Sequence, residues 1–316
     1  MAERRRPPHE VLLAGLVLAE TAYFAVVGTN FLTLQNAFEV ARTAVELGLL
    51  ALALTAVILT GGIDLSVGSL LGLCAVLMGA ALKNGALPLG LAVLVAPAVG
   101  LAGGALNGLL VARWGLPPLI VTLGTYSLFR GLAEGLTGGV RNYTDFPEAL
   151  LFLGQGRLPG GVPAQLPLLM IAAVFFWLLL HKSPIGRGLR AIGFSPGSAL
   201  YAGIPVAGRL VLVYVLSGLA SGLAALVYVG RLGQAKADAG AGFELSAITA
   251  VVLGGTSIFG GTGTVHGTVL GLAGLVLLQN GLRLADLPAE LAGILTGALL
   301  LVAVGANRFF GERKAL

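Results

Sequence analysis

The chain has 316 residues and a net charge of +5, and its composition is too apolar for a soluble protein of that length. Hydrophobic residues make up 57% of it and charged residues only 10%, whereas soluble domains average about 25% charged residues. So many apolar residues also exclude intrinsic disorder. The chain is therefore predicted to be an integral membrane protein, with most of its length in the bilayer.

Charge and cysteine content exclude several functions. The positions of Lys and Arg matter more than their sum in a membrane protein, so the positive charge does not indicate a nucleic-acid partner. Cys74 is the single cysteine, which excludes an intrachain disulfide, a zinc cluster and a redox pair, and its apolar neighbours predict a buried packing residue. Because the sequence has no phosphate-binding loop, metal motif or catalytic carboxylate pair, we predict no metal site and no enzyme activity.

A transmembrane helix needs about 20 mainly apolar residues, and the sequence predicts about ten spans in a single all-α polytopic domain over residues 1–316. The predicted spans are 11–28, 41–60, 65–82, 88–111, 118–137, 163–180, 210–230, 245–258, 265–282 and 288–304. The eighth span is short, and it is predicted to cross the membrane either completely or only in part.

Lys and Arg predict the orientation, because cytoplasmic loops carry an excess of both. Most basic residues lie in the cytoplasm if the first ten or so residues are cytoplasmic and the number of spans is even. Both termini are therefore predicted to be cytoplasmic. Two loops are long: an extracytoplasmic loop over 138–162 and a basic cytoplasmic loop over 181–209. A cleaved signal peptide is the alternative for the first span, although no clean cleavage site follows it.

Glycines recur at every fourth residue inside several predicted spans. The sets are Gly68/Gly72, Gly100/Gly104/Gly108, Gly218/Gly222, Gly267/Gly271 and Gly293/Gly297. Small residues let helix backbones approach closely in lipid, where no hydrophobic force draws helices together. We interpret these sets as packing seams, along which smooth helices could also slide or rock.

Two glycines, Gly61 and Gly62, interrupt the second span just before Asp64. A carboxylate there would cap the next helix and complement its positive end. Alternatively, a broken membrane helix lines a cavity, and an Asp inside it is a candidate transport residue. A second interruption, over 254–263, echoes the first and is typical of transporter pathways. Glu46, in the second span, is interpreted as paired, protonated or facing water.

A polar stripe follows the fifth span, because Thr122, Tyr126 and Arg130 are four residues apart and share one helix face. Such a stripe suits contact with a small polar solute, and interhelical hydrogen bonding is the alternative. Asn107 and Asn280, in the fourth and ninth spans, have the same two interpretations. The predicted path-lining or gating residues are Asp64, Asn107, Thr122, Tyr126 and Asn280.

Several blocks resemble the permease subunits of ribose-, xylose- and galactose-type bacterial ABC importers. They lie at 59–68, 118–125 and 252–257, with a fourth match between 185 and 220, and they follow the family order from about residue 40 to 305. The resemblance implies the helical fold of vitamin B12-type importers in the bacterial inner membrane. It also implies a permease homodimer or heterodimer and a monosaccharide or similar small polar solute; related permeases carry autoinducer-2, rhamnose and inositol-type solutes.

The resemblance implies partners on both sides of the membrane. Cytoplasmic ATPase subunits would bind ATP and Mg²⁺, since no cofactor is expected in this chain, and an extracytoplasmic binding protein would deliver solute. Loop 181–209 would contact the ATPase through short helices over 188–193 and 198–203. The residues assigned to this coupling loop are Gly186, Arg187, Arg190, Ala191, Gly193 and Gly203. Residues 194–196 and 201–202 depart from the family pattern, which affects the local contact geometry.

An ATP-driven importer permease is thus the first hypothesis. A stand-alone secondary transporter, coupled to protons through Glu46 or Asp64, is the second. It predicts uptake by the purified chain under an ion gradient without ATP. A membrane enzyme has little support, because no catalytic constellation is found.

Overall fold

A computed structural model describes residues 9–83 and 87–311, and over these ranges the regular secondary structure is helical, apart from two isolated β-bridges. The helices are α1 (His9–Val27), α2 (Leu34–Leu59), α3 (Val67–Lys83), α4 (Leu89–Ala112), α5 (Pro118–Thr137), α6 (Glu148–Gln155), α7 (Leu166–Trp177), α8 (Pro184–Phe194), α9 (Pro196–Tyr201), α10 (Val206–Leu232), α11 (Phe243–Leu253), α12 (Val265–Leu284) and α13 (Ala289–Gly311). A π-helical turn, Leu178–Lys182, continues α7. The predicted all-α class is confirmed.

Within the described residues, five helices are long and apolar enough to cross a membrane, namely α1, α2, α4, α10 and α12. The pair formed by α7 with its π-helical turn and α8 is a sixth candidate, although the chain bends by 69° between them. Helices α3 and α11 and the apolar part of α13 are shorter. The chain is therefore a multi-pass membrane protein, while about ten spans and the vitamin B12-importer fold stay predictions.

Helix α2 forms the centre of the bundle, because every residue from Val45 to Leu59 is buried. In the middle of α2, the carboxylate of Glu46 accepts a hydrogen bond of 2.6 Å from Nε of Arg231, at the end of α10. Of the three interpretations of Glu46, the ion pair is therefore the correct one. Cys74 is fully buried, as its apolar neighbours predict.

Helices α4 and α10 pack backbone to backbone along a glycine seam. A Cβ atom on Gly100 would collide with the carbonyl oxygen of Gly218, and one on Gly104 would collide with that of Tyr214. Backbone atoms also cover Gly68, Gly72, Gly267 and Gly271. The packing interpretation is thus confirmed for these glycines, whereas a Cβ on Gly293 or Gly297 would meet no heavy atom of the described chain within 4 Å.

Several element boundaries differ from those predicted. Helix α2 begins earlier than predicted, at Leu34, and the Thr33 side chain caps it. The prediction missed its first two turns because they are too polar to be recognised by hydropathy. The long loop over 138–162 contains α6, and α11 has only 11 residues because Gly254 and Gly255 end it. The short eighth span is the consequence of this second interruption.

Candidate functional site

The break between α2 and α3 is made by two glycines with different roles. Gly61 has a φ of +79°, the left-handed conformation that ends a helix and that glycine adopts without strain. Gly62 lies under Tyr214 of α10, where a Cβ would be only 2.8 Å from the tyrosine hydroxyl oxygen. These two residues turn the chain back into the bundle and place Asp64 inside it.

Asp64 lies at the centre of a buried hydrogen-bond network and is only 1% exposed. Its Oδ1 accepts from the backbone N–H of Ser66 at 3.0 Å and from the Ser66 hydroxyl at 2.7 Å. Its Oδ2 accepts from the hydroxyl of Ser217, on α10, at 2.7 Å. A buried carboxylate is tolerated when donors surround it in this way. Asp64 therefore stabilises the chain entering α3, as the capping interpretation predicts, and also joins that chain to α10.

Two more helices reach the same network. The amide nitrogen of Asn107, on α4, donates to the Ser66 hydroxyl at 2.8 Å, and the hydroxyl of Thr122, on α5, donates to the Ile63 carbonyl at 3.2 Å. The residues Asp64, Ser66, Asn107, Thr122 and Ser217 are called the Asp64 cluster below. The tertiary structure thus brings together three of the five residues predicted to line a path.

Two buried polar atoms at this cluster have no hydrogen-bond partner among the described residues: Oδ1 of Asn107 and the hydroxyl of Tyr214. An unpaired buried polar atom costs about 1–3 kcal/mol and is a feature that functional sites tolerate. In the sequence, Tyr214 and Ser217 stand out only as members of the fourth resembling block. That block is the signal that could have assigned them to the site.

The other two predicted path residues lie apart. Asn280 forms a reciprocal amide pair with Asn36 of α2, with distances of 2.9 and 3.0 Å, so its interhelical interpretation is correct. It does not reach the Asp64 cluster, because its two hydrogen bonds hold α12 against the start of α2. Tyr126 is half-buried on α5, one turn from Thr122.

The chain between α10 and α11 folds along the glycine face of α3. Arg130 of α5 donates from Nη1 to the carbonyls of Ala237 and Ala239 in this segment. Glu244 accepts from the N–H of Gly242 at 3.1 Å, and its side chain lies against Gly68 in the first turn of α3. Glu244 is buried because the glycines of α3 leave room for its side chain.

Helices α8 and α9 occupy the predicted coupling loop, and the assigned residues divide into two groups. Three of them face inward: Gly186 packs on the Leu180 carbonyl, Gly193 packs on other backbone, and Arg190 donates to the Leu180 and Gly263 carbonyls at 2.7 and 3.3 Å. The remaining three are Ala191, which is half-buried, and Arg187 and Gly203, which are exposed. The predicted pair of short helices is present, although α8 is longer than predicted and α9 lies two residues earlier in the chain.

One basic residue of this loop was missed. Arg209 donates from Nη1 to the carbonyls of Pro184 and Ile185, at 2.8 and 2.7 Å, and thereby joins the start of α10 to the start of α8. Three large apolar side chains of α8 and α9 are exposed instead: Phe194 (71%), Leu200 (62%) and Tyr201 (93%). These three residues are called the α8–α9 surface.

A multi-pass helical bundle with polar groups at a break in its central helix is typical of membrane transport proteins. A family model described as the permease component of a branched-chain amino acid transport system matches residues 36–304. The chain belongs to this family.

The relatives support a narrower description. The chain is 39% identical over 300 residues, 93% of its length and 90% of the relative, to the autoinducer 2 import system permease protein LsrD of Photorhabdus luminescens. It is 38% identical over 306 residues to the protein of that name from Yersinia enterocolitica, covering 95% of this chain and 92% of the relative. No solved structure matches the chain.

The resemblance to sugar-type ABC permeases is thus confirmed. The chain is a transport subunit of an ABC importer in the inner membrane, rather than an enzyme or a stand-alone secondary transporter. Membership of this class implies ATPase and binding-protein partners.

Proposed function

We propose that this permease imports autoinducer 2 or a sugar-like solute of similar size, with the Asp64 cluster as the gate of its path. Relatives named for autoinducer 2 import align over nine-tenths of their length, which supports the solute class. The proposal of a gate is supported by the position of Asp64, whose carboxylate joins the broken α2–α3 connection to α10. Breaking or remaking those bonds would change how the helices pack.

The partner ATPase, which would bind ATP and Mg²⁺, contacts the α8–α9 surface in this proposal. Large apolar side chains that stay exposed at the end of a bundle typically mark protein interfaces. The exposed rings of Phe194 and Tyr201 fit that description. Arg187, on the same helix as Phe194, is exposed and supplies a positive charge. On this basis both termini and α8–α9 are cytoplasmic, and the binding protein docks at the opposite end.

A second permease subunit, identical or related, completes the path in this proposal. Helix α5 carries Gly124, Gly131 and Gly135, and a Cβ at any of them would meet no heavy atom of the described chain within 4 Å. Glycines spaced by multiples of about one turn suit close helix–helix approach in lipid. The open face of α5 therefore supports dimerisation through this helix.

The test is ATP-driven uptake by the assembled transporter. The permease and its ATPase are reconstituted in proteoliposomes, with the binding protein outside, and uptake of autoinducer 2 and of D-ribose is followed with and without enclosed ATP. We expect uptake of at least one solute that requires both ATP and binding protein. Uptake of neither solute by an assembled, ATP-hydrolysing complex would contradict the proposed function.

A further inference from the structure

A polar cavity of about 360 Å³ lies beside the end of α5 and the segment that follows α10. Its charged and polar lining includes Glu134, Thr137, Arg141, Asn142, Lys236 and Asp238. We call it the Glu134 pocket. Because α9 leads into α10 and the pocket follows its end, the pocket and the α8–α9 surface are at opposite ends of this helix. Its volume is within the range of about 300–1,000 Å³ typical of small-molecule sites.

Two contacts hold the walls of the pocket in place. Tyr143 and Ala235 exchange backbone hydrogen bonds of 3.0 and 2.8 Å, which joins the segment after α5 to the segment after α10. Arg130 also donates a hydrogen bond to the carbonyl of Ala237, which lines the pocket. The pocket is therefore preformed.

The charges around the pocket are balanced. Glu134 and Asp238 oppose Arg141 and Lys236, and Lys236 forms an ion pair of 3.3 Å with Asp238. A lining of this kind offers carboxylate acceptors and cationic donors without a net charge. Hydroxyl groups both donate and accept. A neutral solute with several hydroxyls fits this chemistry better than an anion or a cation does.

A polar stripe leads from the pocket into the bundle. The stripe consists of Glu134, Arg130, Tyr126 and Thr122, each about one turn of α5 from the next. Thr122 is itself a member of the Asp64 cluster, which it joins through the Ile63 carbonyl, and it lies about 12 Å along the helix from Arg130.

Unsatisfied polar groups lie on this stripe, at Arg130, and against the glycine face of α3, at Glu244. Nη2 of Arg130 and Oε2 of Glu244 are buried and have no hydrogen-bond partner among the described residues. Glu244 is 7% exposed. The guanidinium of Arg130 lies against Gly72 of α3 and the carboxylate of Glu244 lies against Gly68. Solute hydroxyls would satisfy this unpaired donor and this unpaired acceptor.

We infer that the Glu134 pocket is the site at which the permease receives a neutral, polyhydroxylated solute, and that the α5 stripe leads the solute towards the Asp64 cluster. This inference rests on the proposed function, since it assigns the solute-entry site of that same transporter. The binding protein docks over the pocket, but the pocket binds the solute and not the binding protein.

The test measures solute binding by the permease–ATPase complex in nanodiscs without binding protein, using ligand-observed NMR with autoinducer 2 and with D-ribose. Glu134→Gln and Asp238→Asn each remove an acceptor charge, and we expect each to raise the Kd about tenfold. Glu148→Gln is the matched control, because Glu148 is an exposed carboxylate at the start of α6 that does not line the pocket. The control should bind as the wild type does.

Other outcomes are decisive as well. Equal Kd values for all three variants would overturn the inference, provided that each assembles with the ATPase. Unchanged solute binding with weakened docking of the binding protein would show that the pocket is a protein-docking surface, which also overturns it. Failure of the wild-type complex to import either solute would overturn the proposed function itself, whereas normal import with unaffected pocket variants would overturn only this inference.

Discussion

Gly193, near the end of α8, lies directly against the backbone carbonyl of Leu59, the last residue of α2. The N–H of Gly261, in the second interrupted stretch, donates to the same carbonyl at 2.9 Å. Three segments thus meet backbone to backbone: the end of α8, the end of α2 and the turn before α12. Since no side chain separates them, a displacement of α8 would pass directly to the break that carries Asp64.

This contact predicts that Gly193→Ala uncouples ATP hydrolysis from transport. A Cβ at this position would collide with Leu59 and Gly261, and overpacking of this kind costs about 1–3 kcal/mol. We expect import to fall about tenfold, while ATP hydrolysis by the assembled complex stays within about twofold of the wild type. Gly197→Ala is the control, because a Cβ on Gly197, in α9, would meet no heavy atom within 4 Å. Equal import by both variants would show that the contact transmits nothing.

Asp64→Ala should abolish import while the permease still assembles with the ATPase. The substitution leaves the Ser66 and Ser217 donors unpaired in a buried site, at a cost of about 1–3 kcal/mol for each. Asp64→Asn keeps an acceptor and should retain part of the import. Uptake and co-purification measure the two effects. Unchanged import by Asp64→Ala would mean that the carboxylate only caps α3.

The ion pair between Glu46 and Arg231 should contribute strongly to stability. Glu46 is 1% exposed whereas Arg231 is 24% exposed, so Arg231→Ala leaves a buried carboxylate without its partner, which costs about 3–5 kcal/mol. Thermal unfolding in detergent measures the loss. The control is Glu39→Ala, since Glu39 is 40% exposed, lies 3.8 Å from Arg42 and should contribute about 1 kcal/mol or less. Equal melting temperatures for the two variants would contradict this assignment.

The proposed orientation predicts which side of the membrane is accessible to a membrane-impermeant maleimide. Cys74 is fully buried, so the wild-type chain should give no labelling background. Val140→Cys, at a position 87% exposed, should react from outside intact spheroplasts. Arg187→Cys, on α8, should react only after permeabilisation. The reverse pattern would place both termini outside.

The membrane class, the helices and both interruptions could be predicted from the sequence, because composition, apolar runs and glycine pairs are local properties. Residues that act through their neighbours in sequence, such as Asp64 beside Ser66, could be recognised for the same reason. The two interpretations of Asn280 could not be separated in this way, since an amide in an apolar helix gives no indication of which helix will supply its partner.

The amino-acid sequence alone therefore establishes a helical membrane protein, broken at two places, whose motifs resemble those of importer permeases. Which polar groups meet depended on the tertiary structure. Ser217 reaches Asp64 across 153 residues, Glu46 reaches Arg231 across 185, and Glu244 is buried only because α3 presents glycines to it. The physical reason is that a buried polar group is satisfied by whichever donor or acceptor the packing brings within about 3 Å, and packing depends on the whole fold.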